Sequence, residues 1–78
     1  MIITVDNLPP DASEQDIRAL FDNSPVISHV RIIDEGDHSK PMAVVEMAID
    51  AATAEALRQR YHHHWWHGRA INVNVIMH

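Results

Sequence analysis

Two stretches with the three- and four-residue spacing of a helix are interleaved with four stretches that read as strands, and that order leaves few folds open. Ile3-Thr4-Val5 alternates apolar and polar residues as a half-buried strand does. Asn7-Leu8-Pro9-Pro10 ends it, because proline has no amide proton to give to a ladder. Ser13 then stands three residues before Asp16, a capping-box-like start with Asp in place of the usual Glu. Ile17, Leu20 and Phe21 form the apolar stripe of the helix that follows, and Asn23-Ser24-Pro25 stops it.

The second strand is expected from about His29 to Asp34, with Val30 and Ile32 on one side and Arg31 and Ile33 on the other. The polar segment Glu35-Gly36-Asp37-His38-Ser39 is a turn into a third strand, Met42 to Met47, so the two form an antiparallel hairpin. Asp50 is a helix N-cap, and Ala51 to about Arg60 is rich in alanine with no breaker. Ala54, Leu57 and Tyr61 face the core from that helix. After a turn of histidines and tryptophans, Ile71-Asn72-Val73-Asn74-Val75 alternates as the closing strand. The order βαββαβ with two right-handed crossovers predicts an α+β, ferredoxin-like sandwich: a four-stranded antiparallel sheet with both helices on one face. The other face of the sheet is left bare.

Seventy-eight residues make one domain, spanning 1–78, near the lower size for a core without staples, and the chain has no cysteine to supply them. Apolar packing has to hold the fold. No apolar run approaches the roughly 20 residues of a membrane span. The first residues lack the basic region and long apolar stretch of a signal peptide, which points to a cytoplasmic location. Eleven acids against six bases give a net charge of −5 at neutral pH, unlike most proteins that live on phosphate contacts. Seven histidines complicate that count, since protonating all of them would turn −5 into +2.

Ile3-Thr4-Val5-Asp6-Asn7-Leu8-Pro9, followed by Ser13-Glu14-Gln15-Asp16-Ile17-Arg18-Ala19-Leu20-Phe21, resembles the opening of an RNA-recognition motif domain. Gly68-Arg69-Ala70-Ile71-Asn72-Val73 is similar to the Gly-Arg-x-Leu-x-Val that enters the last strand of that family. Tyr61 to Gly68 has the length of its Leu-Asn-Gly-x-x-(apolar)-x-Gly turn, which puts Trp66 at the apolar plug. The resemblance covers nearly the whole chain and implies a domain that binds single-stranded RNA by stacking bases on aromatics of the middle strands. Those aromatics are absent. The first-strand stacking position falls on Thr4, and the third-strand positions, in Lys40-Pro41-Met42-Ala43-Val44-Val45-Glu46-Met47, fall on Met42 and Val44. Only the leading cation survives, as Lys40.

By alternation the bare face carries Thr4 and Asp6, then Arg31 and Ile33, then Met42, Val44 and Glu46, and finally Asn72 and Asn74. Such a face is compatible with three uses: a tolerated surface, a protein contact or homodimer through Ile33, Met42 and Val44, or weak RNA binding. In the last case Arg31, Lys40, Asn72 and Asn74 meet phosphates and base edges. Trp66 and Tyr61 are expected in the core, whereas Trp65 alternates outward and, with His64, is a possible peripheral contact. His62, His63, His64 and His67 have the ligand type for a metal, but adjacent histidines in a turn diverge and nothing nearby completes a site, so no metal and no cofactor is expected. No catalytic residue is expected either: there is no cysteine nucleophile, no nucleophile elbow and no glycine-rich phosphate loop among two glycines.

Overall fold

The computed structural model describes residues 1–34 and 40–76; the turn expected at 35–39 lies outside them. In chain order the elements are β1 (Ile2–Asp6), α1 (Glu14–Leu20), β2 (Ile27–Ile33), β3 (Met42–Met47), α2 (Ala51–Tyr61), β4 (Trp65–Trp66), β5 (Arg69–Ala70) and β6 (Asn72–Ile76). The large sheet has the order β2-β3-β1-β6, antiparallel at each pairing. The two inner strands β1 and β3 are therefore distant in sequence, as the βαββαβ reading requires.

Each helix starts where its capping residue dictates. The Ser13 hydroxyl accepts from the Asp16 amide at 3.1 Å while the Asp16 carboxylate accepts from the Ser13 amide at 3.0 Å, which closes the box. Bonding to Ser13, through its backbone amide first and its hydroxyl second, holds the Asp16 carboxyl below its ordinary pKa. Asp50 accepts from the Thr53 amide at 2.8 Å, and bonding to Thr53 lowers its pKa likewise. On the exposed side of α2, Glu55 and Arg58 pair one turn apart.

The core lies between the sheet and the helices. Ile3, Val5, Ala43, Val45 and Val73 enter it from the sheet; Ile17, Leu20, Ala54 and Tyr61 enter from the helices, and Leu8 and Ile71 from the loops. Each large apolar side chain so buried contributes about 1.5–3 kcal/mol. Leu57 and Trp66 pack against this core from positions that are only partly buried, so both plug the layer edge and neither lies fully within it. Among the described residues no helix is long and apolar enough to cross a membrane.

Three local expectations are corrected. The second strand begins at Ile27, two residues early, because a bulge at Ser28 resets the register between Ile27 and His29. Ser28 anchors that bulge by donating its hydroxyl to the Glu46 carbonyl, 3.2 Å away. The last strand runs from Asn72 to Ile76, shifted one residue on. Ile71 precedes it and bonds through both backbone groups to His63 and His64. Finally, the histidine–tryptophan turn contains a second sheet, the two-stranded hairpin β4–β5, with His67 and Gly68 at its tip at φ 50° and 81°. Positive φ at both central residues matches the twist of a tight hairpin.

Candidate nucleic-acid interface

The sheet face away from the helices is built in three rows. Arg31, Val44, Thr4 and Asn74 are cross-strand neighbours and form the middle row. At one end Ile33 lies opposite Met42, and Asp6 opposite Asn72. At the other end His29 and Ile2 flank Glu46, and Ile76 pairs with Ile2. The alternation of the strands thus brings together every strand residue assigned to this face, with Ile33, Met42 and Val44 forming an apolar patch that runs from the middle row to one end. Lys40 is exposed and stands just before the buried Pro41, at the start of β3 on the rim beside Met42.

Thr4 departs from expectation. It sits in the middle of the face yet is only 8% exposed, because Val44 on one neighbouring strand and Asn74 on the other close over it. A ligand on this face meets the flanking side chains before it meets Thr4. Ile2, His29 and Ile76 also belong to the face and were not anticipated. Their parity in the alternation matches Thr4, Arg31 and Asn74; Ile2 and Ile76 lie one residue beyond the alternation of the first and last strands, and His29 stands at the expected start of the second. Ile76 is 40% exposed, and with Met1, Ile2 and Glu46 it lines a depression of about 320 Å³ at that end. A second groove, of about 360 Å³, lies away from this face between the helix ends and is lined by Phe21, Leu57, Arg60 and Tyr61 among others.

None of the four strands carries a Phe, Tyr or Trp. The face offers instead aliphatic contact, one guanidinium, two amides and an imidazole, against the two carboxylates Asp6 and Glu46. Such groups can meet phosphates and base edges, or the surface of a protein, but they supply no flat π surface.

The hairpin β4–β5 stands beside this face and is held at both ends. Asn7 donates its side-chain amide to the Ala70 carbonyl at 2.9 Å, and Arg69 donates to the Leu8 carbonyl at 2.9 Å. His62 Nδ1 accepts from the Val73 amide at 3.0 Å, a role that requires that nitrogen to be unprotonated, so the imidazole covers part of the free edge of β6. His63 stacks on His62 with centroids 3.9 Å apart, and His64 turns its ring edge-on to Tyr61 at 6.0 Å. His62 and His63 thus stay together while His64 turns away, and no group of three or more potential metal ligands gathers among the described residues. Trp65 is 70% exposed.

A family model described as RNA recognition motif matches residues 3–72. Solved structures with the same fold include the third RNA recognition motif of Pes4, at TM-score 0.81 and 19% identity, covering 99% of this chain and 92% of that one. The yeast splicing factor Prp24 matches at TM-score 0.82 and 23% identity over 96% of this chain and 32% of its own three-domain fragment. The Rna15 domain, solved with bound RNA (GU), matches at TM-score 0.75 and 13% identity, covering 99% of this chain and 83% of that one. No curated protein sequence matches the chain.

Proposed function

The chain belongs to the RNA recognition motif family, and from that premise we propose that it binds single-stranded RNA across the open face of its sheet, weakly and without the family's stacking aromatics. The observation that carries this reading is the face itself: four strands in the family's order, uncovered by either helix, with Arg31, Asn72 and Asn74 on the same face as an apolar patch. The similarity to the Rna15 domain, solved with bound RNA (GU), supports RNA as the ligand.

Chemistry sets the strength. Stacking a base on an aromatic contributes about 1–3 kcal/mol, and two or three such platforms are missing here. Met42 and Val44 still exclude water beneath a base, and Arg31 and Lys40 are placed for phosphates. A single-stranded RNA held by about two phosphate contacts has a log–log salt dependence of roughly −1.4.

The test is fluorescence anisotropy of a labelled random-sequence short RNA pool titrated with the domain over a salt series. Affinity is expected to fall with a shallow slope, Arg31→Ala to flatten that slope by about 0.7, and Val44→Asp to weaken binding at every salt concentration. The aliphatic patch of Ile33, Met42 and Val44 also favours a second reading, contact with a protein or a second copy of the chain. Self-association that ignores salt and disappears in Val44→Asp, with no RNA bound, selects that reading and rejects the first.

A further inference from the structure

We propose that Trp65 is a stacking platform for one unpaired nucleobase, set outside the four-stranded sheet beside β6; this rests on the RNA-binding reading above. The chain has four residues of the Phe, Tyr and Trp type, all of them described: Phe21, Tyr61, Trp65 and Trp66. Phe21 and Tyr61 are buried against each other edge-to-face, with centroids 5.1 Å apart, and Trp66 packs on the core. Trp65 alone among them presents its ring to solvent.

The hairpin fixes the backbone that carries that ring. Trp65 pairs with Ala70, whose methyl group leaves the indole uncovered from across the strand pair, while Trp66 pairs with Arg69. The bonds from Asn7 to Ala70 and from Arg69 to Leu8 tie the hairpin to the end of β1. With the backbone already ordered, a base that settles on the indole costs only the freedom of that one side chain.

Register gives the direction. Ile71, between β5 and β6, is fully buried, whereas its neighbours Ala70 and Asn72 are half-buried and turn away from it. Trp65 shares Ala70's side. An RNA strand that meets Asn74 and Asn72 on β6 therefore reaches Trp65 next, one base past the sheet edge.

Charge supports the same path. In a chain with eleven acids the last is Glu55, so no carboxylate side chain follows it. Everything from α2's second half through the hairpin and β6 carries only Arg58, Arg60, Arg69 and histidines as ionisable side chains, apart from Tyr61. A phosphate backbone approaching Trp65 meets no acid from its own segment; of α1's acids, Asp16 lies within electrostatic reach of His67 at the hairpin tip.

The experiment compares the unaltered domain with Trp65→Leu and Trp65→Phe, using the random-sequence RNA pool, with thermal melts to confirm that both variants fold. Trp65→Leu keeps an apolar side chain but removes the π face, and is expected to weaken binding about 5- to 150-fold. Trp65→Phe retains a smaller ring and is expected to lose less. RNA is expected to quench the tryptophan emission of the unaltered domain and to leave that of Trp65→Phe, which reports only Trp66, unchanged. Leucine binding as tightly as tryptophan, with the sheet variants still impaired, overturns this inference alone. Failure of the unaltered domain to bind RNA overturns the sheet-face reading, and this inference with it.

Discussion

His63 holds its backbone at φ 65°, in the left-handed region, at the position where the resembling motif has glycine. A side chain there costs about 1–2 kcal/mol relative to the right-handed region. Its amide nonetheless bonds the Ile71 carbonyl at 2.7 Å, so the turn is fixed by pairing across the loop and the strain is carried locally. Glycine at this position relieves that cost, though its greater freedom in the unfolded chain offsets part of the gain. His63→Gly is expected to be more stable than His63→Ala by about 1 kcal/mol, or roughly 4–8 °C in melting temperature for a domain of this size. An alanine variant that melts at or above the glycine variant contradicts the account of this turn. Thr4 teaches a different lesson at the same scale. Its side was legible from its parity, but its burial depends on Val44 and Asn74, which come from strands 40 and 70 residues away in the sequence. One strand's pattern has no means of reporting that.

The helices were legible as elements because their signals are local. Ser13 with Asp16, and Asp50 before an alanine-rich run, each announce a start through residues a few positions apart, and both caps form as read. The bulge at Ser28 and the hairpin β4–β5 were not legible. A bulge is defined by its partner strand, and two-residue strands are too short to alternate. The hairpin tip places His67, a residue with no preference for positive φ comparable to glycine's, at the first turn position. The caps also carry a pH prediction. Asp50 has its folded-state pKa lowered by the Thr53 bonds from an ordinary value of 3.8. A depressed folded-state value means that the ionised cap stabilises the fold in full above about 3.8, and that this contribution disappears as pH falls through the lowered value. In melts recorded from neutral to acid pH, Asp50→Asn is expected to lose less stability on the acid side than the unaltered chain. Parallel acid-side losses in the two proteins contradict the assignment.

At the scale of the whole molecule the two faces differ in what they offer. The helical layer exposes Asp11, Glu14, Asp22, Asp50 and Glu55, and its arginines at positions 18 and 58 are engaged by Glu14 and Glu55. The sheet face sets Arg31 and Lys40 against Asp6 and Glu46, so it is close to neutral in a chain whose net charge is −5. An RNA strand is repelled from the helices and admitted at the sheet, where few phosphates are neutralised and aliphatic contact carries much of the rest. The architecture that creates this open face was readable from the order of patterns alone. The chemistry that fills it was readable only as a departure from the family's aromatics.

The most direct measurement is an amide chemical-shift titration of the isotope-labelled domain with the random-sequence RNA pool, at low salt and pH 6.5. The account expects shifts concentrated at Arg31, Ile33, Met42, Val44, Asn72 and Asn74, with the helical layer unmoved. Shifts confined to the groove around Phe21, Leu57 and Tyr61 contradict it. So does an unchanged spectrum whose lines broaden as protein concentration rises, which marks the sheet as a surface for a second copy of the chain.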